Sequence, residues 1–324
     1  MTPRAVNPRI VNPCIVEQLR YVSRNVRALE SSSAFYCERL GFRLQGAAYS
    51  IDAALLGLHG QTLKAQRLKF GDNEIELVEV GPHARPYPPG SLASDLWFQH
   101  FALRCVDIHA AYRQLHRTDA FSPPPRAISA EMHGVPGPIT LPSKSGGAIA
   151  FKFRDPDGHP LELIQLKQGK NHGAAPDGID HSAVSVSDVR RSIDFYLKHL
   201  GMTVTARQTN SGMEQNCLDG LCHDAVEVVA LAPAMASSPH LELLGYRSPL
   251  GRTLQPAALP HDIAGDRLVF ACSAPAGTAE PAADVLFCDP DGHFIVLQSS
   301  TELAAALPCG KHRAVTPDRK TAPA

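Results

Sequence analysis

Several glutamates of this 324-residue chain stand inside short apolar runs, where an ionisable side chain is unusual. Glu162 lies in LELIQL, Glu242 in HLELLGY and Glu76 in IELVEV. Side chains alternate between the two faces of a strand, and both faces of LELIQL are apolar, so we expect Glu162 to be partly desolvated. A buried carboxylate is costly unless it meets a cation or becomes protonated. A divalent metal ion would supply that cation.

His100 occupies a comparable place in the run HFALRC. It alternates with Ala102 and Arg104, which puts these three residues on one face of the predicted strand. A lone histidine in a strand is more often a hydrogen-bonded core residue than a metal ligand. A lone glutamate more often faces solvent or pairs with an arginine. These residues indicate a site only if the fold brings several of them together.

The elements that carry them recur along the chain. Residues 34–42 (AFYCERLGF) resemble 194–202 (DFYLKHLGM), and each pattern predicts a helix that ends at its glycine. A strand-like run precedes each helix. Residues 153–166 (FRDPDGHPLELIQL) resemble 287–300, with an Asp-Pro-Asp-Gly turn between two β-prone runs. The repeated unit is therefore predicted to contain a strand, a helix and several further strands.

Four units are predicted, at about 19–80, 97–166, 179–246 and 267–300. The fourth is degenerate because APAGTAEP, at 274–281, leaves little room for a helix.

Taken in chain order, the units predict two domains, 19–168 with units one and two and 169–305 with units three and four. We expect residues 1–18 to form an N-terminal extension. The last residues, 306–324, have no periodic apolar pattern and are predicted to be disordered.

This organisation resembles the vicinal oxygen chelate superfamily, which includes glyoxalase I, extradiol dioxygenases and antibiotic-resistance binding proteins. The resemblance rests on the repeated FY…LG helix and above all on DPDGHPLE, and it covers about residues 19–300. It implies an α+β fold in which tandem βαβββ units form two domains of curled mixed sheets with flanking helices.

The superfamily places metal ligands on the first and last strands of each unit, and two units share one metal. Carried over to this chain, the resemblance offers His100 and Glu162 from the second unit and His181 and Glu242 from the third. From the first and fourth units it offers Tyr21, Glu76, Arg267 and Val296.

The pairing of the units decides whether a complete site forms. Pairing in chain order would divide the histidines and glutamates between two sites, of which the second is poor. If the second unit pairs with the third, one site gathers both histidines, Glu162 and Glu242, and the first and fourth units form a ligand-poor partner. This arrangement resembles single-chain, four-unit glyoxalases, and we favour it.

Two imidazoles and two carboxylates suit one divalent ion such as Ni²⁺, Co²⁺, Zn²⁺, Fe²⁺ or Mn²⁺. The glyoxalase-like interpretation implies isomerisation of a 2-oxo or 2-hydroxy-carbonyl, hemithioacetal-like substrate through a metal-bound enediolate. The resemblance gives Glu242 the role of moving a proton between adjacent carbons, and Glu162 is almost equally suitable.

Two other functions stay open. An extradiol ring-cleaving dioxygenase would hold Fe²⁺ with two histidines and one carboxylate, but its metal normally lies in the last two units, where this chain has Arg267 and Val296. A metal-free protein that binds small molecules, as in drug resistance, is the third hypothesis. The single tryptophan, Trp97, and an aromatic content of 6% disfavour an aromatic stacking pocket.

Charge and hydropathy disfavour other classes of partner. The 31 basic and 32 acidic residues give a net charge of −1, which offers no electrostatic footprint for nucleic acid or an anionic membrane. The sequence has no apolar run of transmembrane length, and its first residues lack the apolar core of a secretory signal. We therefore expect a cytoplasmic monomer or homodimer that acts on a small molecule.

Overall fold

The computed structural model describes residues 15–128, 137–167, 178–222, 225–236, 238–273 and 284–299. The predicted disordered tail and the predicted loss of a helix in the fourth unit lie outside these residues. In the described segments, no helix has both the length and the apolar character needed to cross a membrane.

The first two units follow the predicted order of elements. The first consists of β1 (Ile15–Val26), α1 (Leu29–Leu40), β2 (Arg43–Asp52), β3 (Thr62–Phe70) and β4 (Asn73–Glu79). The second consists of β5 (Gln99–Arg104), α2 (Ile108–Leu115), β6 (Arg126–Ala127), β7 (Ile139–Thr140), β8 (Ile149–Arg154) and β9 (Pro160–Gln165). Single turns of 3₁₀ helix occur at Ala53–Leu56 and Ser143–Ser145.

The third unit contains an additional short helix. It consists of β10 (Gly178–Ser185), α3 (Val189–Leu200), β11 (Thr203–Asn210), α4 (Met213–Asp219), β12 (Val226–Ala232) and β13 (His240–Tyr246). The described strands of the fourth unit are β14 (Arg267–Ser273), β15 (Val285–Cys288) and β16 (Phe294–Ser299).

The main helices end where the sequence predicts but begin by different means. Gly41 after α1 and Gly201 after α3 adopt the left-handed conformation, with φ of 78° and 63°. The carboxylate of Asp188 caps α3 locally. Both helices begin five residues before the predicted patterns, but α1 has no local side-chain cap, and the N–H of Leu29 donates to a carboxylate oxygen of Glu79 in β4 at 2.8 Å. Because this cap comes from a distant strand, the sequence around the start of α1 gives no sign of it.

The strands form two sheets, and each sheet contains strands from both halves of the chain. The second and third units form a nine-stranded sheet in the order β11-β12-β13-β10-β5-β9-β8-β6, with β7 beside β8. The first and fourth units form a seven-stranded sheet in the order β15-β16-β14-β1-β4-β3-β2. Two antiparallel pairs, β5 with β10 and β1 with β14, join the units. The sheets thus do not follow the division of the chain into two consecutive domains.

One large apolar cluster holds residues of all four units, including Phe35, Phe101, Phe151, Tyr196 and Phe270. Through this cluster the helices pack against one face of each sheet. The alternation predicted for β5 is confirmed, because Phe101 and Leu103 belong to this cluster. The opposite face of β5 is left to carry the polar residues.

A fully buried arginine connects the two sheets. Arg24 of β1 donates to Asp266, which precedes β14, at 2.8 Å and to the hydroxyl of Tyr36 at 2.8 Å. That hydroxyl donates in turn to Asp155, in the turn between β8 and β9, at 2.9 Å. The network therefore joins the first, second and fourth units through buried charges.

Replacing this arginine with a residue of similar length is expected to destabilise the fold. Arg24→Met leaves the carboxylates of Asp155 and Asp266 buried without this guanidinium, which predicts a loss of about 3–5 kcal/mol of unfolding free energy in urea. Arg27→Met is the matched control, since Arg27 is 41% exposed and its pair with Asp157 is 3.6 Å long. It should cost less than about 1 kcal/mol. Equal losses in the two variants would contradict the role given to Arg24.

The DPDGH turn is held by its own first aspartate. One carboxylate oxygen of Asp155 accepts the backbone N–H groups of Asp157, Gly158 and His159. The Nδ1 atom of His159 lies 2.9 Å from Asp155, and its Nε2 atom lies 2.9 Å from the carbonyl oxygen of Ile263. Both ring nitrogens face acceptors, which favours the imidazolium. Burial alone would lower the pKa of His159, but the neighbouring carboxylates raise it.

The raised pKa of His159 in the folded state determines how the unfolding free energy changes with pH. The protonated form of His159 stabilises the fold below the ordinary pKa of 6.5, and this contribution is lost as the pH rises through the higher folded value. The unfolding free energy of the wild type should therefore fall above pH 6.5 more steeply than that of His159→Asn. Urea titrations of both proteins at several pH values measure the difference. Parallel profiles would show that this imidazole does not titrate with folding.

Candidate metal centre

The face of the nine-stranded sheet opposite its helices carries two rows of directly paired residues. The rows are Glu162–Ala102–His181 and Glu242–Ala183–His100, each on three adjacent strands. Directly paired residues of neighbouring strands share a face. Because each row has an alanine at its centre, the four longer side chains can converge above small residues.

The structure brings all four predicted residues together. The Nε2 atom of His100 lies 2.9 Å from Oε2 of Glu162. The Nε2 atom of His181 lies 3.9 Å from the same glutamate oxygen and 3.6 Å from Oε2 of Glu242. Donor atoms of His100, Glu162 and His181 all lie within 4.8 Å of one another. Residues from β5, β9, β10 and β13 thus meet at one place.

Two neighbouring residues that the sequence did not single out support this cluster. Asp180 accepts from Nδ1 of His181 at 3.0 Å, which leaves the Nε2 atom for an ion. A register shift between Ile179 and His181 accompanies this contact between consecutive residues of one strand. His240 lies 3.4 Å from the carboxylate of Glu242. The motifs IDHS and HLEL contain both residues, but alternation along a strand would have put Asp180 on the opposite face.

Burial and charge prepare the cluster for a cation. Burial, with a contribution from Lys152, lowers the pKa of His100 to about 4, so this imidazole is neutral. Burial also works against the imidazolium of His181, but the surrounding carboxylates, Glu242 foremost, raise its pKa to about 9, so a bound ion would take the place of the proton on Nε2. The pKa values of Glu162 and Glu242 are lowered although burial alone would raise them. Both carboxylates are therefore ionised.

These residues fit a divalent ion. Side chains of His100, Glu162 and His181 are only 1%, 6% and 5% exposed, whereas that of Glu242 is 21% exposed. The Nδ1 atom of His100 has no hydrogen-bond partner among the described residues. Two imidazoles and two carboxylates form a donor set suited to borderline divalent metals. The centre would be accessible from the side of Glu242.

The seven-stranded sheet has a different cleft at the corresponding place. Tyr21, Glu76, Arg267 and Val296 line a cavity of about 270 Å³ together with neighbouring residues. Arg267 donates to Ser23 at 2.8 Å, and Ser23 donates to Glu76 at 2.6 Å. Arg67 pairs with this glutamate directly at 3.2 Å, so guanidinium groups supply the positive charge beside it. Within the described ranges, the groups of His, Cys, Asp and Glu that could hold an ion both lie in the other sheet.

The repeated units, the two sheets and the histidine–glutamate cluster define the class of this protein. A family model described as Glyoxalase/Bleomycin resistance protein/Dioxygenase superfamily matches residues 18–163 and 178–302. The chain belongs to this superfamily.

The named relatives match a smaller part of this chain than the family model does. A lactoylglutathione lyase of Arabidopsis thaliana is 31% identical over 105 residues, 32% of this chain and 30% of the relative. One of Oryza sativa subsp. japonica is 28% identical over 111 residues, 34% of this chain and 32% of the relative. The chain thus spans about a third of the length of these relatives.

Solved structures share the fold over most of the chain. Glyoxalase I of Zea mays is 18% identical with a TM-score of 0.58, covering 89% of this chain and 94% of that one. A putative dioxygenase of Bacillus subtilis is 10% identical with a TM-score of 0.53, covering 88% and 86%. At these identities the likeness concerns the fold, and it agrees with the predicted pair of curled mixed sheets.

The alanines between the donors give a test of the centre that leaves every donor in place. Ala183→Val adds two methyl groups between His100 and Glu242, and we expect the affinity for a divalent ion to fall by about tenfold or more. Ala271→Val in β14 is the matched control, because Ala271 is equally buried in the other sheet. Ion content after dialysis against limiting Co²⁺ measures both. Equal binding by the two variants would place the ion elsewhere.

Proposed function

We propose that the protein is a metal-dependent enzyme of glyoxalase type that isomerises a 2-oxo or 2-hydroxy-carbonyl substrate such as a hemithioacetal. One divalent ion would be held by His100, Glu162, His181 and Glu242. The observation that carries the proposal is the convergence of these four side chains from two units on one face of one sheet. The lactoylglutathione lyases among the relatives support the choice of reaction class.

The two glutamates differ in a way that divides their roles. When bound, the ion would act as a Lewis acid toward two adjacent oxygens of the substrate. Glu162 is fixed against His100 at 2.9 Å and lies beside the positive charge of Lys152. Glu242 is the more exposed carboxylate, and its contacts with His181 and His240 are longer, at 3.6 Å and 3.4 Å. We therefore assign Glu242 to move a proton between adjacent substrate carbons.

His181 and its partner orient the rest of the centre. Asp180 holds the Nδ1 atom of His181, so the ring presents Nε2 toward the two glutamates. His100 and Glu162 form the buried side of the cluster, where solvent has little access. The substrate would then exchange its proton with Glu242 rather than with solvent.

Removing the charge of the proposed base should separate catalysis from metal binding. We expect Glu242→Gln to lower turnover of the hemithioacetal of methylglyoxal and glutathione by about 100-fold or more while about one ion per chain is retained. Glu227→Gln is the matched control, since Glu227 lies in the same sheet and pairs with the exposed Arg207. Turnover is followed by absorbance and ion content by elemental analysis.

Three outcomes would contradict the proposal. Full turnover in Glu242→Gln would show that Glu242 is not the base. Full turnover in both Glu242→Gln and Glu162→Gln would contradict the proposed mechanism. Wild-type protein without bound ion, or with the same ion content as His181→Ala, would favour a metal-free binding protein. Oxygen uptake with catechols in the presence of Fe²⁺, without isomerase turnover, would favour a dioxygenase.

A further inference from the structure

Lys152 of β8 lies beside the candidate metal centre and has no role in the mechanism above. It pairs directly with Glu162 of β9, so its side chain leaves the sheet on the face that carries the four donors. It is buried, with 4% exposure, while its neighbours Phe151 and Phe153 point to the apolar core. A lysine ammonium near a divalent ion opposes binding of that ion. A buried ammonium at this place therefore needs a reason other than binding of the ion.

The charge of Lys152 is balanced by the short helix α4. Its Nζ atom lies 2.7 Å from Oδ1 of Asp219, and the other oxygen of Asp219 accepts from Gln215 at 2.9 Å. Burial alone would lower the pKa of Lys152, but Asp219 and Glu162 raise it, so the ammonium stays charged. An ion pair thus connects the sheet beside the metal donors to a helix at the place where the first unit has the 3₁₀ turn Ala53–Leu56.

Helix α4 packs on the face that holds the metal donors, against β7 and β8 at one side of them. Cys217 and Leu218 belong to one apolar cluster with Ala102, the residue between Glu162 and His181 in the paired row. The residues before and after the helix, Gly212 and Gly220, have φ of 105° and 61°. Glycine adopts such angles readily, so it is the residue that suits both ends of α4. A substrate group that extends from the donors across Ala102 would therefore lie beside this helix.

We propose that Lys152 binds a carboxylate of the substrate, and that the carboxylate of Asp219 occupies this position while α4 packs beside the centre. The proposal rests on the function proposed above and names its substrate class. The substrate would be a 2-oxo or 2-hydroxy-carbonyl compound that carries a carboxylate a few bonds from its reacting carbons.

Charge balance is the physical reason for this exchange. Glu162 and Glu242 already neutralise a divalent ion. If Asp219 leaves Lys152 and no anion replaces it, the ammonium is a largely buried cation without a partner, which is unfavourable. A carboxylate on the substrate restores the ion pair, whereas a neutral substituent leaves the cation uncompensated. The centre should therefore select anionic substrates over neutral ones of the same size.

Two chelating probes of matched length test this selection on the full chain. Succinic acid monohydroxamate and butyrohydroxamic acid share the hydroxamate and the carbon chain, but only the first ends in a carboxylate. Both are titrated by calorimetry into Co²⁺-loaded and metal-free protein. We expect loaded wild-type protein to bind the succinic probe about tenfold more tightly than the butyric one. Lys152→Met should abolish this preference, while Lys152→Arg should retain most of it.

A second pair of variants keeps the test valid if Lys152→Met folds poorly. Asp219→Asn removes the competing carboxylate and should tighten binding of the succinic probe. The double variant Lys152→Met/Asp219→Asn removes both charges and should show no preference. If wild-type protein and Lys152→Met bind the succinic probe with equal affinity, the role of Lys152 is overturned. This holds for Co²⁺-loaded protein and for metal-free protein. Failure of the wild type to retain Co²⁺ would instead overturn the metal-dependent function.

Discussion

The antiparallel pairing of β5 with β10 is the contact on which the candidate centre depends. It joins the second unit to the third and puts His100 opposite Ala183 and Ala102 opposite His181. A shift of one residue would turn one strand's side chains to the other face and would bury a histidine among the apolar residues under the helices. The last strands, β9 and β13, run parallel to β5 and β10 and add their glutamates to the same face.

The two sheets show how one architecture supports two different clefts. Both are built around an antiparallel pair of first strands, and both hold a glutamate on a last strand. In the nine-stranded sheet the neighbours of the glutamates are histidines, which can give an electron pair to a cation. In the seven-stranded sheet Arg267 carries its own positive charge, and Val296 offers no donor. The side chains at a few paired positions, rather than the backbone, decide which cleft can hold an ion.

Buried charge is distributed differently in the structural and the functional parts of the molecule. Around Arg24, arginine and two aspartates are permanently matched and tie three units together. Around the candidate centre, two ionised glutamates and Asp180 outnumber the nearby cations, and one ammonium is matched by a residue on a short adjacent helix. The first arrangement is complete without a ligand. The second leaves negative charge for an ion and a cation whose partner can be exchanged.

Much of this protein follows from the sequence alone. The repeat of the helix and of the DPDGH turn predicts the units, and local chemistry explains why: left-handed glycines end α1 and α3, and Asp155 folds its own turn. Alternation in HFALRC separates the polar face from the core, and the resemblance supplies the four donors.

The tertiary structure decided what depends on distant residues. Strand pairing set which units share a sheet, Glu79 from β4 set the start of α1, and the register shift beside Ile179 put Asp180 against His181. The pair of Lys152 with Asp219 joins residues 67 positions apart. Such contacts are selected by packing and charge in three dimensions and leave no pattern along the chain.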